Sequence, residues 1–216
     1  MKKILFIAAL MVCGFANAQE TVTETAPEGF KKGDIILTGA IGFGTSKTGE
    51  IKRTSYGVTP SAAYFVTNNI ALGVSLGYSH FKQDSYINID GFYPQRYDEV
   101  LNSFSADAYG RYYFTPASKF SIFGQLSAGF FTSKREVKDT AIEYTNNGFD
   151  ATLAPGISYF ISSHLALEAS FGFINYRTVE PTTTDYYGNE IDEDSTDNFS
   201  ANLYLSNIYF GLVYKF

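Results

Sequence analysis

From residue 34 to the last residue the chain repeats at every second position, and that period leaves few folds open to it. Ile35, Leu37, Gly39, Ile41 and Phe43 are mostly apolar, while Ile36, Thr38, Ala40, Gly42 and Gly44 are mostly small. Strict alternation of this kind describes a β-strand with one face in an apolar medium. The same test succeeds seven more times. Tyr56, Val58, Pro60, Ala62, Tyr64 and Val66 alternate with Gly57, Thr59, Ser61, Ala63 and Phe65; Ile70, Leu72, Val74, Leu76 and Tyr78 alternate with Ala71, Gly73, Ser75, Gly77 and Ser79. Phe104, Ala106, Ala108, Gly110, Tyr112 and Phe114 oppose Asp107, Tyr109, Arg111 and Tyr113; Phe120, Ile122, Leu126, Ala128 and Phe130 oppose Ser121, Gln125, Ser127 and Gly129. Phe149, Ala151, Leu153, Pro155, Ile157 and Tyr159 oppose Asp150, Thr152, Ala154, Gly156 and Ser158. Leu165, Leu167, Ala169, Phe171 and Phe173 oppose Ala166, Glu168, Ser170 and Gly172, and Ile208, Phe210, Leu212, Tyr214 and Phe216 oppose Tyr209, Gly211, Val213 and Lys215. The pattern predicts eight strands.

Size decides which face is inside. In a soluble barrel or sandwich the large residues pack inwards and the wetted face is rich in Lys, Glu and Thr, whereas here the second face is mostly Gly, Ala and Ser with isolated charges. A closed eight-stranded sheet has interior room only for side chains to fill, so the small residues belong inside and the large ones face lipid. Closure also gives every backbone polar group a partner where no water is available. The predicted fold class is all-β, an eight-stranded antiparallel up-and-down transmembrane β-barrel. Composition agrees: the chain is 45% hydrophobic, yet its longest apolar run is residues 4–13, far short of the roughly 20 residues of a transmembrane helix. Its 17 Tyr and 20 Phe, with only 18% charged residues, exclude a disordered chain.

Lys2 and Lys3 precede the apolar run, and Ala16 and Ala18 are the small residues a signal peptidase reads. Residues 1–18 are therefore expected to be a secretory signal peptide, with Gln19 the first mature residue. A lipoprotein reading through Leu10, Met11, Val12 and Cys13 meets Val12 where Gly, Ala or Ser belongs. Cys13 is the only cysteine of the 216 residues, so the mature chain is expected to carry no disulfide, Cys metal site or Cys nucleophile. Residues 19–33 show no period and read as a flexible periplasmic leader, leaving 34–216 for the barrel domain.

Connection lengths predict the topology. Tight turns at 67–69, 115–119 and 161–163 alternate with long polar connections at 45–55, 82–102, 134–148 and 177–200. Short periplasmic turns and longer extracellular loops are the pattern of outer-membrane barrels, so the cell outer membrane of a Gram-negative organism is the expected location, with both termini periplasmic. An internal repeat marks the turns: Pro60, Tyr64, Phe65, Ile70 and Leu72 match Pro155, Tyr159, Phe160, Leu165 and Leu167, and Tyr113 with Phe114 follows more loosely. Each aromatic pair falls where an interfacial girdle is expected. A strand proline offers no N–H to the ladder, so Pro60 and Pro155 predict a bulge or a local gap.

On the alternating strands, the Tyr64-Phe65 and Tyr159-Phe160 pairs and the closing run from Ile208 to Phe216, the chain resembles the small outer-membrane β-barrel domain proteins, the class of outer membrane protein X and the barrel of outer membrane protein A. The resemblance spans 34–216. It implies that the last strand, with Phe210, Leu212, Tyr214 and Phe216 at alternate positions, looks like the signal read by the barrel assembly machinery. The peptidoglycan-binding domain that follows the barrel in outer membrane protein A has no counterpart before Phe216.

Few side chains carry chemistry. Asp107, Arg111, Gln125, Asp150 and Glu168 fall on the predicted inner face of neighbouring strands. Buried charges are costly unless paired, so this cluster is expected to hold the lumen shut; a proton or ion path along it is the competing reading. His80 has outward parity on the third strand and His164 borders a turn. Ser79 and His80 are adjacent and so point to opposite faces, and since a nucleophile and its base must first meet in space, no catalytic site is assigned. The loop from Arg177 to Asp197 holds Glu180, Asp185, Glu190, Asp192, Glu193, Asp194 and Asp197, and the run from Asp192 to Asp197 offers oxygens that suit Ca²⁺. No glycine stands at the sixth position counted from Asp192, and a solvated acidic loop is the simpler reading. Tyr86, Ile87, Ile89, Phe92, Tyr93 and Tyr97 give the 82–102 connection a composition suited to a surface partner or lipopolysaccharide. The expectation is a monomeric, non-enzymatic outer-membrane barrel with a structural or surface-interaction role, without metal or cofactor. Its expected partners are outer-membrane lipid, lipopolysaccharide, the assembly machinery and an extracellular ligand, not nucleic acid. A narrow porin or transporter for ions or small apolar molecules is the alternative, and a lipid-modifying barrel enzyme the third reading.

Overall fold

The computed structural model describes residues 29–89, 93–137, 143–202 and 208–216; the signal peptide, Cys13 and residues 19–28 of the leader lie outside them. The regular elements are β1 (Ile35–Thr48), β2 (Ile51–Phe65), β3 (Ile70–Ile89), β4 (Tyr93–Tyr113), β5 (Phe120–Val137), β6 (Glu143–Phe160), β7 (Leu165–Phe171), β8 (Phe173–Thr184), β9 (Glu190–Asp192), β10 (Thr196–Asn202) and β11 (Ile208–Lys215). β1 to β6 pair antiparallel in chain order, β6 pairs with both β7 and β8, β7 pairs with β11 and β8 with β10, and β1 pairs with β11 to close the sheet. β7 with β8 forms the seventh spanning strand, β10 with β11 forms the eighth, and β9 pairs back on β8 beyond it. The fold is the eight-stranded antiparallel up-and-down barrel that the two-residue period predicts.

The faces are also as predicted. Ile41 and Phe43 are 84% and 76% exposed, while Ile36 and Val213 of the opposite parity are fully buried. Glycines on the inner face mark where a larger lumen ring needs space. A Cβ on Gly73 would strike the Tyr109 ring, one on Gly156 the Phe123 ring, and one on Gly148 the Phe131 ring. The inner face is therefore small on average because a few large residues already fill a narrow interior.

The two prolines interrupt the ladder in different ways. Between β2 and β3, Val58 pairs with Tyr78 and Ser61 with Ser75, with no bridge at Thr59 or Pro60, so the register passes unchanged across a gap. Next to Pro155, the pairing of β6 stops at Leu153 with Ile174 and resumes at Gly156 with Ser170. Ala154 and Pro155 thus face three residues, and the additional one is Gly172, at a φ of +67°, a left-handed conformation that glycine adopts without steric cost. This is a β-bulge, and a one-residue slip turns every later side chain to the other face. Ile174 and Tyr176 face outwards, which corrects the expectation that Phe173 continues the lipid face. Arg177 is carried into the lumen by the same slip.

The long polar connections are a second correction. β1 and β2 pair as far as Thr48 with Ile51, β3 and β4 as far as Ile89 with Tyr93, and β5 and β6 as far as Glu136 with Glu143. At 177–200 the chain makes a further hairpin of β8, β9 and β10. Beyond the lipid both faces of a strand meet water, so the hydrophobic alternation fades while the backbone ladder continues.

Candidate functional site

Four strands run towards the short-turn end, and each arrives there with a buried inward side chain: Phe65 on β2, Tyr113 on β4, Phe160 on β6 and Lys215 on β11. Each also donates its backbone N–H to a carbonyl preceding the adjacent strand. Phe65 donates to Asp34 at 2.9 Å, Tyr113 to Asn69 at 2.7 Å, Phe160 to Lys119 at 2.9 Å and Lys215 to His164 at 2.7 Å. The sequence repeat is the trace of this ring. It corrects the girdle assignment, because only Tyr64, Phe114 and Tyr159 of the aromatic pairs face outwards.

Phe30 fills the ring and is 2% exposed. Its ring centroid lies 4.9 Å from that of Phe65, 4.7 Å from Tyr113 and 4.7 Å from Phe160, separations at which aromatic pairs attract beyond their area burial. The Phe30 N–H donates to Pro116 O at 2.7 Å, and Lys215 Nζ donates to Gly29 O at 2.6 Å. Gly29, at a φ of +131°, lies so close to Pro116 and Ala117 that a Cβ would collide with their backbone. Residues 29–33 of the leader are thus packed against the barrel. Phe30 is the one aromatic of that segment, a signal the sequence carried and the aperiodic leader concealed.

Above this plug lies an ion pair. Arg111 Nη1 meets both carboxylate oxygens of Glu168 at 2.9 and 2.8 Å, Arg111 Nε donates to Gln125 Oε1 at 2.5 Å, and Tyr113 Oη donates to Glu168 Oε1 at 3.2 Å. The guanidinium also stacks on Phe123 at 4.8 Å and Tyr109 at 5.2 Å. Arg111 is 9% and Glu168 5% exposed, so the pair is desolvated, and the added hydrogen bonds are what make such a pair tolerable. Three of the five predicted cluster residues, Arg111, Gln125 and Glu168, meet here. Phe123 shares the inward parity of Gln125 and completes the layer.

The other two predicted residues lie apart from them. Asp107 and Asp150 flank Gly129 across three strands. Ser75 Oγ donates to Asp107 at 3.3 Å, and Thr152 Oγ1 to Asp150 at 3.5 Å. A cavity of about 260 Å³ opens above the ion pair and is bounded by Thr38, Ser61, Ser75, Tyr109 and Gln125. A wider one of about 480 Å³ follows towards the long-hairpin end, bounded by Ser79, Ser103, Ser105, Phe131, Ser133 and Arg177. Above it Arg53 donates to Gln83 at 2.7 Å, and Arg135 pairs with Glu99 at 3.0 Å.

Outside the barrel, His80 Nδ1 lies 2.8 Å from Asn102 Oδ1 and stacks on Tyr56 at 4.8 Å. An amide acceptor of this kind can orient an imidazole, but Ser79 borders the lumen cavity on the other side of the sheet. His80 and Ser79 therefore do not form a nucleophile–base pair. His164 Nδ1 lies 2.8 Å from Ser163 Oγ in a turn. In the acidic hairpin, Asp185 accepts the N–H groups of Tyr187 and Asn189, each at 2.8 Å, and the Asn189 side-chain amide at 2.9 Å. These donors hold its carboxyl below the usual carboxylate range. Thr182 donates to Asp192 and Thr178 to Asp197, so these acids are engaged with hydroxyls. Among the described residues no three His, Cys, Asp or Glu side chains converge on a metal position. The side chains of residues 85–97, including those of Tyr86, Ile87, Ile89, Tyr93 and Tyr97, and all of Phe92 lie outside the described residues, as do the side chains of 208–210. At the end of the last strand, Tyr214 and Phe216 rings stand 4.8 Å apart, and the Phe216 N–H donates to Ile35 O at 2.9 Å.

A closed sheet with apolar side chains outside, an ion-paired interior and short turns at one end defines an integral outer-membrane barrel. The chain belongs to the outer membrane protein β-barrel domain family, whose model matches residues 6–216. No curated protein matches it. Among solved structures, the outer membrane protein OprG of Pseudomonas aeruginosa is similar in fold at 13% identity and a TM-score of 0.56, covering 88% of this chain and 98% of that one. A major outer membrane protein of Thermus thermophilus aligns at 13% identity and a TM-score of 0.47, over 85% of this chain and 99% of that one. The attachment invasion locus protein Ail of Yersinia pestis aligns at 12% identity and a TM-score of 0.44, over 86% and 99%.

Proposed function

We propose that this protein is a non-enzymatic, non-conducting barrel of the outer membrane, with its short turns in the periplasm and a surface-interaction role carried by the hairpins at the other end. The observation that supports it most is the closed short-turn end, where Phe30 in its ring of Phe65, Tyr113, Phe160 and Lys215 lies beneath the buried Arg111–Glu168 pair. An ion would have to cross an aromatic layer and then a salt bridge, each with its hydrogen bonds already made. At the opposite end β3 and β4 pair with each other as far as Ile89 and Tyr93, whereas their pairing with β2 reaches only Asp84 and that with β5 only Glu99. Among the described residues no other strand pairs with the end of this ribbon, and a two-stranded ribbon of this kind is suited to contact with a partner chain or with lipopolysaccharide sugars. The strand end, with Tyr214 half-buried and Phe216 exposed, fits recognition by the assembly machinery during insertion.

Recording single channels from purified protein in planar bilayers tests the reading. The expected result is no stable conductance step above that of protein-free membranes. Large, reproducible steps would overturn it in favour of a narrow pore.

A further inference from the structure

We propose that the lumen cavity on the long-hairpin side is a binding site for a small oxyanion, a carboxylate, sulfate or phosphate group, held by Arg177. The inference rests on the closed-barrel reading only in that the cavity is then a cup and not a passage. The site is built from three successive features of the chain. Gly172 supplies the bulge that turns Arg177 from the lipid face into the lumen. Gly148 leaves space that a Cβ would take from the Phe131 ring. Phe131 then forms a bed on which the Arg177 guanidinium lies, 3.9 Å from the ring centroid.

A guanidinium held flat on a ring keeps its N–H edge for a planar or tetrahedral oxyanion, and it is already oriented, so little rotamer freedom is lost on binding. Among the described residues no carboxylate lies within ion-pair distance of Arg177, although Asp150 is its register partner. The wall it faces supplies the hydroxyls of Ser79, Ser103, Ser105 and Ser133 and no carboxylate. The field points the same way. Arg53 binds a neutral amide, Gln83, while Arg135 is neutralised by Glu99, so among the described side chains the inner rim above the cavity carries the net positive charge of Arg53. Asp150 stands across the ladder from Arg177 and within its field, with Asp107 beyond it across Gly129, so the two acids oppose passage of an anion deeper into the barrel. A positive cup over a negative floor captures an anion and does not transmit it.

The test uses full-length mature protein refolded in zwitterionic micelles, with acetate, sulfate and inorganic phosphate titrated in turn at constant ionic strength. The readout is the Arg177 Nε–H resonance, with isothermal titration in parallel. The expected result is saturable binding of at least one of the three anions. Arg177→Gln should weaken the calorimetric binding by about tenfold or more, the loss expected for hydrogen bonds to a charged group. Phe131→Leu, which keeps the charge and removes the bed, should weaken it to an intermediate degree, and Arg53→Gln by less than about threefold if Arg177 is the direct ligand. Non-saturable shifts with all three anions, or equal losses from Arg53→Gln and Arg177→Gln, would overturn the site and leave only diffuse attraction. A conductance found in planar bilayers would overturn the closed-barrel reading but not the binding of an anion at Arg177, so the two failures are distinguishable.

Discussion

Arg111 and Glu168 show most directly what one side chain does here, because each is buried and each is the other's counter-charge. Removing one partner of such a pair leaves an uncompensated charge in low dielectric, at a cost of about 3–5 kcal/mol, whereas replacing both with apolar groups of similar size is often neutral. Arg111→Met or Glu168→Leu alone should therefore lower the urea midpoint of the folded, heat-modifiable form strongly, and the double variant should recover most of the loss. Additive losses in the double variant would mean that the pair is not the coupled unit its geometry indicates. Phe30 poses a different question, since it reaches the barrel from outside the strands. Phe30→Ala removes a ring packed on three others and should cost about 3 kcal/mol in the same urea assay. An unchanged midpoint would show that the plug adds nothing to the barrel it closes.

At the scale of the element, alternation was legible wherever lipid lies on one side of the strand and side chains lie on the other. Ile35 to Phe43 and Ile70 to Tyr78 could be assigned residue by residue on that contrast. It failed in two physical circumstances. Past Thr45, Lys82 and Lys134 both faces meet water, so the strands of the hairpins left no periodic mark and looked like loops. At Gly172 the period persisted but its phase moved by one, and a phase slip cannot be read without knowing the partner strand. The alternation therefore puts Phe173 outside and gives no sign of Arg177 as a lumen residue. Pro155 is the visible trace of the same event: it marks the break but not the slip that follows. Gly172→Ala places a Cβ in a left-handed backbone and should cost about 1–2 kcal/mol. Leu76→Arg or Leu126→Arg at the middle of the lipid face should cost about 2–4 kcal/mol, Leu167→Arg, level with Tyr159 at the short-turn interface, should cost less, and Ser170→Thr on the lumen side should cost little. Equal tolerance at both faces, measured as folded fraction against urea, would mean that the large side chains do not face lipid.

For the whole molecule, the asymmetry between its ends carries the biological orientation. One end is short, plugged and tied together by hydrogen bonds from each turn to the next strand; the other continues as hairpins that expose Tyr186 and Tyr187. A barrel of this kind is oriented with its short turns in the periplasm. The prediction can be made with single cysteines, because the sequence has one cysteine, at Cys13, among the residues read as a signal peptide. Tyr187→Cys lies at the tip of the acidic hairpin and should react with a membrane-impermeant maleimide on intact cells. Lys119→Cys, in the turn between β4 and β5, should react only after the outer membrane is permeabilised. Both positions lie in turns outside the strand ladder, so folding, followed by the electrophoretic difference between boiled and unboiled samples, should survive either change. The unsubstituted chain is the blank. If Lys119→Cys were labelled on intact cells and Tyr187→Cys were not, the barrel would be inverted, and the Arg177 cup would open to the periplasm and meet a different pool of anions.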